Sequence, residues 1–242
     1  MRMLCKILTG AALLAVAAPA FAQEVIVTAE RRGINANQSG YSYNNSIVAS
    51  GRPVIALKRT ADYAVLPVRI VGDTRDAKQR RDDLKAMLRG AIALAAKSGI
   101  ELATGDYVVT PLTLATYEDL DYRGDGRPDT DQTWFLVKTR IVPGMDLKAA
   151  RDKLTKFIEA VPKVGRSTIS PTGEVTLSVV NPDQYRGAII ELIAADAATS
   201  AAKFGPGYGV AVSGLDKPVE WSRAGPTDVF LFLQSSYTVR KD

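Results

Sequence analysis

The residues best equipped for chemistry lie between 119 and 131, where Asp119, Asp121, Asp125, Asp129 and Asp131 share one polar loop. Calcium takes several oxygen ligands on a loop that turns tightly at a glycine, and Asp121, Asp125, Gly126 and Asp129 fall at positions one, five, six and nine of such a loop. Position three is Arg123 and position twelve is Gln132, which removes one oxygen ligand and the bidentate carboxylate while adding positive charge. Calcium held by Asp121, Asp125 and Asp129 would therefore bind weakly, and a solvated acidic hairpin tip is the simpler reading. The same carboxylates could serve as general acid and base on a glycan, but an exposed tip lacks the buried setting that shifts a carboxyl pKa. The chain has no histidine, which excludes Ser-His-Asp and Cys-His catalysis, imidazole zinc sites and the usual pH switch. Trp134 and Trp221, with Tyr41 and Tyr43, are candidates for stacking on a sugar, although isolated aromatics more often pack.

Arg2 and Lys6 precede an apolar run over residues 7–18, and Ala20, Phe21 and Ala22 make a small-residue cleavage pattern, so residues 1–22 read as a secretory signal. The mature chain is expected to begin near Gln23, in the periplasm or outside the cell. The single cysteine, Cys5, falls in the removed segment, leaving no disulfide or thiol chemistry. Stability must then come from a packed core, for which about 220 residues suffice. No later stretch reaches the roughly 18 apolar residues of a membrane span. Loss of Arg2 and Lys6 lowers the formal charge from +5 to about +3, with basic and acidic residues interspersed, a weak case for nucleic acid.

Residues 23–46 read as a flexible N-terminal extension, in which a short alternating apolar segment, Glu24 to Arg32, precedes Gly33 to Ser46, rich in Asn, Ser, Gly and Tyr. Its start, Glu24 to Ala29, resembles the short segment near the mature N-terminus of TonB-dependent receptors. An extended apolar peptide on a polar leash can add to an exposed sheet edge, so Val25, Ile26 and Val27 are the candidate contact with an envelope partner. The alternatives are an extra edge strand or no order.

The domain is expected over residues 47–242. A short strand at 47–51 precedes one at 61–71, where Pro67 implies an edge or a bulge. Asp73 or Thr74 should cap a helix whose core face is Ala77, Leu84, Leu88, Ala91 and Ala95, with Arg75, Arg80, Arg81, Asp82 and Asp83 on its solvated side. Strands at 107–117 and 133–142 read as a hairpin. A second helix, 146–161, buries Leu154 and Phe157 and stops at Pro162. Val175, Leu177 and Val179 mark a strand leading into the third helix, 181–204. Asn181, Pro182 and Gln184 form a capping box at its start, and Ile189, Ile193, Ala197, Ser200 and Phe204 lie on one face. Strands at 208–212 and 229–239 close the chain. The order ββαββαβαββ predicts an α+β fold of largely antiparallel sheets with three covering helices.

Three stretches then carry a family likeness. They are Ile47 to Arg52 with Ala61 to Val68, the helix end Lys97-Ser98-Gly99-Ile100 with Tyr107-Val108-Val109-Thr110-Pro111-Leu112, and the alanine helix from Tyr185 with its closing strand. Together they resemble the SIMPL-domain family of exported bacterial proteins, which includes periplasmic immunogenic and oxidative-stress-defence proteins. The resemblance implies an α+β envelope protein, with members that assemble into rings, and transfers no catalytic residue. The expected function is non-catalytic, through oligomerisation or partner binding in the envelope. The alternatives are a calcium or ligand module on the 119–131 loop, a TonB-linked accessory protein, or a glycan hydrolase.

Overall fold

The computed structural model describes residues 23–27, 53–105, 108–124 and 126–241. The expected signal segment, the strand expected at 47–51, Tyr41, Tyr43 and Asp125 lie outside them. Twelve strands and three α-helices follow in order among the described residues: β1 (Glu24–Val27), β2 (Leu57–Thr60), β3 (Tyr63–Gly72), α1 (Ala77–Ser98), β4 (Glu101–Thr104), β5 (Val108–Pro111), β6 (Asp131–Arg140), α2 (Leu147–Ala160), β7 (Thr168–Pro171), β8 (Thr176–Val180), α3 (Arg186–Ala202), β9 (Tyr208–Ser213), β10 (Glu220–Arg223), β11 (Asp228–Phe232) and β12 (Ser236–Lys241). The fold is α+β, with antiparallel sheets against which the three helices pack.

Six strands close a ring. β3 pairs with β6, β6 with β4, β4 with β5, β5 with β1, β1 with β8, and β8 returns to the first residues of β3, every pairing antiparallel. β7 adds to the far half of β3. Strand alternation then sends residues to two sides. Tyr63, Val65, Ala103, Val109 and Leu136 meet inside the ring, with Ile26 and Val180 against them. Ala64, Leu66, Val68 and Ile70 face outward onto Leu84, Met87 and Leu88 of α1 and Leu154 and Phe157 of α2. Val25, Leu177 and Val179 face outward onto Ile189 and Ile193 of α3, and Val229 and Leu231 of the β10-β11-β2 sheet join that cluster. The β9–β12 ribbon packs on the far end of α3.

Several expectations change. Glu24–Val27, assigned to the flexible extension because its polar neighbours dominate the composition, forms a strand inside the ring. β3 is no edge strand. Its Pro67 falls between the residues paired with β8 and those paired with β7, and the Pro67 carbonyl accepts from Thr172 N at 2.9 Å. A strand residue points its N–H and C=O the same way, so the missing donor faces the gap where partners change. The 107–117 and 133–142 hairpin does not form. The short β4 takes β5 as its partner through Gly105, whose φ is 109° and where a Cβ would stand 2.0 Å from the Val108 carbonyl oxygen, while β6 pairs with β3 and β4. The closing strand is two, β11 and β12.

The helix starts shift for local reasons. Asp76 caps α1, accepting from Gln79 N at 2.7 Å. Asp73 is held instead by Arg166, and Thr74 donates to Asp83. Arg80 and Asp83 belong to the buried stripe, and Ala77 is exposed. The third helix opens as a 3-10 turn, Pro182–Tyr185, with Asn181 left-handed at φ 46° and giving no side-chain cap. The cause lies in β1: Asn181 N donates to the Gln23 carbonyl, so Asn181 extends the ladder before the chain turns. Gln184 reaches back to the Val180 carbonyl at 2.8 Å rather than completing a capping box. The buried face of α3 is Ile189, Ile193, Ala197 and Ala201, and Phe204 is exposed beyond its end.

Candidate functional site at the inserted N-terminal strand

β1 is held on both flanks. All four residues pair with β8, Glu24 and Val25 also pair with β5, and the Ile26 carbonyl accepts from the Trp221 indole N–H at 3.1 Å. Trp221 is therefore a strand residue of β10 that pins β1, rather than a loop aromatic. Val25 and Ile26 are already paired within the chain, so the segment would have to leave the ring to add to a partner's sheet edge.

The same strand delivers a charge to the ring interior. Lys138, only 5 % exposed, lies in β6 opposite Val65 and Glu101, and its ammonium pairs with the carboxylate of Glu24, itself 7 % exposed. β1 and β6 are not neighbours in the ring, so this contact crosses its inside. Glu24 Oε1 also accepts from Ser178 Oγ at 2.5 Å. Glu101, half exposed at the rim, lies 3.4 Å from the Lys138 ammonium and accepts from the Tyr63 hydroxyl at 3.0 Å. The ammonium also sits 4.1 Å from the centre of the Tyr63 ring. Burying an ion costs several kcal/mol unless it is paired and hydrogen-bonded, and here every charged head has a partner. Chemically the cluster is a closed polar plug in a small ring, of the kind that side chains fill.

A cavity of about 280 Å³ opens beside the plug. Ile92, Ala95 and Ala96 of α1 wall one side, and Glu24, Glu101 and Lys138 line its polar end. That volume falls just short of the roughly 300–1,000 Å³ typical of small-molecule sites.

Burial raises the Tyr63 pKa, against an opposing contact with Arg140, and the carboxylate of Glu101 raises it further. Burial likewise pushes Tyr122 up to about 12, helped by Tyr117 and Glu118. Both phenols are neutral in the fold at a pH where an unfolded tyrosine has begun to ionise. Their contribution to stability is complete below about pH 10 and is lost as the pH rises through the folded values. Absorbance at the phenolate band should show Tyr122 ionising last, near pH 12, with unfolding advancing over the same interval. Ionisation of every tyrosine in one step near pH 10 would contradict that ordering.

Asp121 pairs with Arg123 at 2.6 Å, Asp129 is exposed with a left-handed φ of 58°, and Asp125 lies outside the described residues. Asp131, the last of the series, is buried on Arg80 Nε at 2.8 Å. Among the described residues no three His, Cys, Asp or Glu side chains come together as a metal-binding group. Trp134 is partly exposed under the Arg123 guanidinium, 5.2 Å from its centre.

Fold and site together define a mixed α+β protein built on a closed antiparallel ring, with a buried Glu–Lys pair completed by its N-terminal strand. No family model and no curated protein matches the sequence. Among the described residues no helix is long and apolar enough to cross a membrane. Glu24, Lys138, Tyr63 and Ser178 escape a sequence reading that seeks charge clusters. The available signal was Lys138 itself, a cation directly after the apolar run Phe135-Leu136-Val137.

Proposed function

We propose that this is an exported, non-catalytic protein of the bacterial cell envelope, akin to the SIMPL-domain proteins, that acts through assembly or surface contact. The observation that carries the reading is the position of Gln23. It directly follows the Ala20-Phe21-Ala22 pattern, its carbonyl accepts from Asn181 N, and the next residue is the buried Glu24. A cut before Gln23 leaves a terminus that already belongs to the fold. The buried ionisable groups support the non-catalytic part, because each is engaged within the fold: Glu24 pairs with Lys138, Asp131 pairs with Arg80, and Asp83 accepts hydrogen bonds from Thr74 and Gln79.

Expression of the complete chain in a Gram-negative host tests this reading. Osmotic shock should release a protein whose intact mass corresponds to a start at Gln23. Retention in the cytoplasm with residues 1–22 still attached would overturn it.

A further inference from the structure

A sheet edge is a row of unpaired N–H and C=O groups, and proteins blunt it with charge or proline. Four edge strands here follow that rule. β2 carries Lys58 and Arg59, β10 carries Glu220 and Arg223, β7 ends in Pro171, and β12 carries Arg240 and Lys241. β9, with the sequence Tyr208-Gly209-Val210-Ala211-Val212-Ser213, has neither. It pairs with β12 along one side, and among the described residues no strand pairs with the other.

Two further observations point to the same edge. Phe204, 62 % exposed, and Tyr208, 39 % exposed, stand together at its start with ring centres 5.8 Å apart. Val210 and Val212, on the side of the ribbon turned to α3, are only partly buried. Among the described residues, the stretch 204–213 thus offers unpaired backbone groups, an apolar aromatic pair and an incompletely covered face.

We propose that β9 pairs antiparallel with β9 of a second copy of this chain about a twofold axis, giving a four-stranded β12-β9-β9-β12 sheet. The proposal rests on the assembly reading above and supplies its surface and its partner. The occupant follows from symmetry and charge. A strand meeting its own twofold mate presents matching donors and acceptors in both directions, and no β9 side chain opposes the approach electrostatically. The outer edges of the combined sheet are then two copies of β12, whose Arg240 and Lys241 repel a third ribbon. Assembly through this edge closes at two chains and does not grow into a fibre.

Light scattering of the chain from Gln23 to Asp242 should give twice the monomer mass at micromolar concentration. Ala211→Lys places like charges across the axis and should weaken the dimer by about tenfold or more. Ala211 is exposed, so the variant should keep the wild-type circular dichroism and melting. Thr238→Lys adds the same charge on the exposed partner residue of β12 and should leave the dimer largely intact. Cys5 is the single cysteine and precedes Gln23, so Ala211→Cys supplies one thiol, which oxidation should convert to a cross-linked pair of chains. A monomer at about 100 µM, or a dimer indifferent to Ala211→Lys, overturns the proposal. Neither outcome alters where the N-terminus is cut or which fraction holds the protein, so failure of this pairing is distinguishable from failure of the export reading.

Discussion

Replacing Glu24 by glutamine should lower the free energy of unfolding by about 3 kcal/mol or more, since removing one member of a buried ion pair strands the other. Glutamine keeps the size of the side chain and can still accept from Ser178, so the substitution removes charge and little else. Lys138 would then depend on Glu101, which is 3.4 Å away and half exposed, and this places the expected loss toward the lower end of the range of about 3–5 kcal/mol. Denaturant titration at neutral pH measures the shift. Adding Lys138→Met to the same chain should recover most of the loss, because no buried ammonium is then left without its carboxylate. If Glu24→Gln moves stability by less than about 0.5 kcal/mol, the interior contact between β1 and β6 is wrong, and with it the role of the N-terminal strand.

The second large effect lies at the start of α1. Arg80 gives Nε to Asp131 and Nη1 to the Thr74 carbonyl at 2.6 Å, with both charged side chains about nine-tenths buried. Arg80→Met should cost about 3 kcal/mol, because it leaves a buried carboxylate with only Arg81, whose Nε is 3.8 Å away. Arg81→Met, one residue along and mostly solvated, should stay within about 0.5 kcal/mol of wild type. The contrast is sharp because the two arginines are adjacent and chemically identical. Equal melting temperatures for the two variants would mean that Arg80 is not the buried anchor.

Those arginines show where a helical pattern can and cannot be read. Leu84, Leu88, Ala91 and Ala95 recur at helical spacing, and a core face was legible from them alone. Arg80 and Asp83 continue that stripe by one turn, yet charged residues are read as solvated unless a partner is known, and the partner of Arg80 lies 51 residues away. The same limit applies at Asn181. Its neighbours Pro182 and Gln184 spell a capping box, but the backbone N–H of Asn181 is drawn off by Gln23, 158 positions earlier, and the cap is lost. The candidate metal loop was visible because its aspartates are close in sequence, while the Glu24–Lys138 plug was not, because 114 residues separate its members.

The amino-acid pattern by itself determined the three helices, the apolar strands β3, β6 and β8, the α+β class and the absence of imidazole chemistry. Each of these depends on periodicity or composition within a short window, where hydrophobic burial acts at a fixed repeat. Only the tertiary structure decided that the strands close into a ring, that Glu24–Val27 completes it, that Pro67 sits at a change of partner, and that among the described residues one edge of β9 has no partner strand. Those outcomes depend on which distant backbones pair, and pairing is favoured where buried backbone groups and charges find partners across the whole fold.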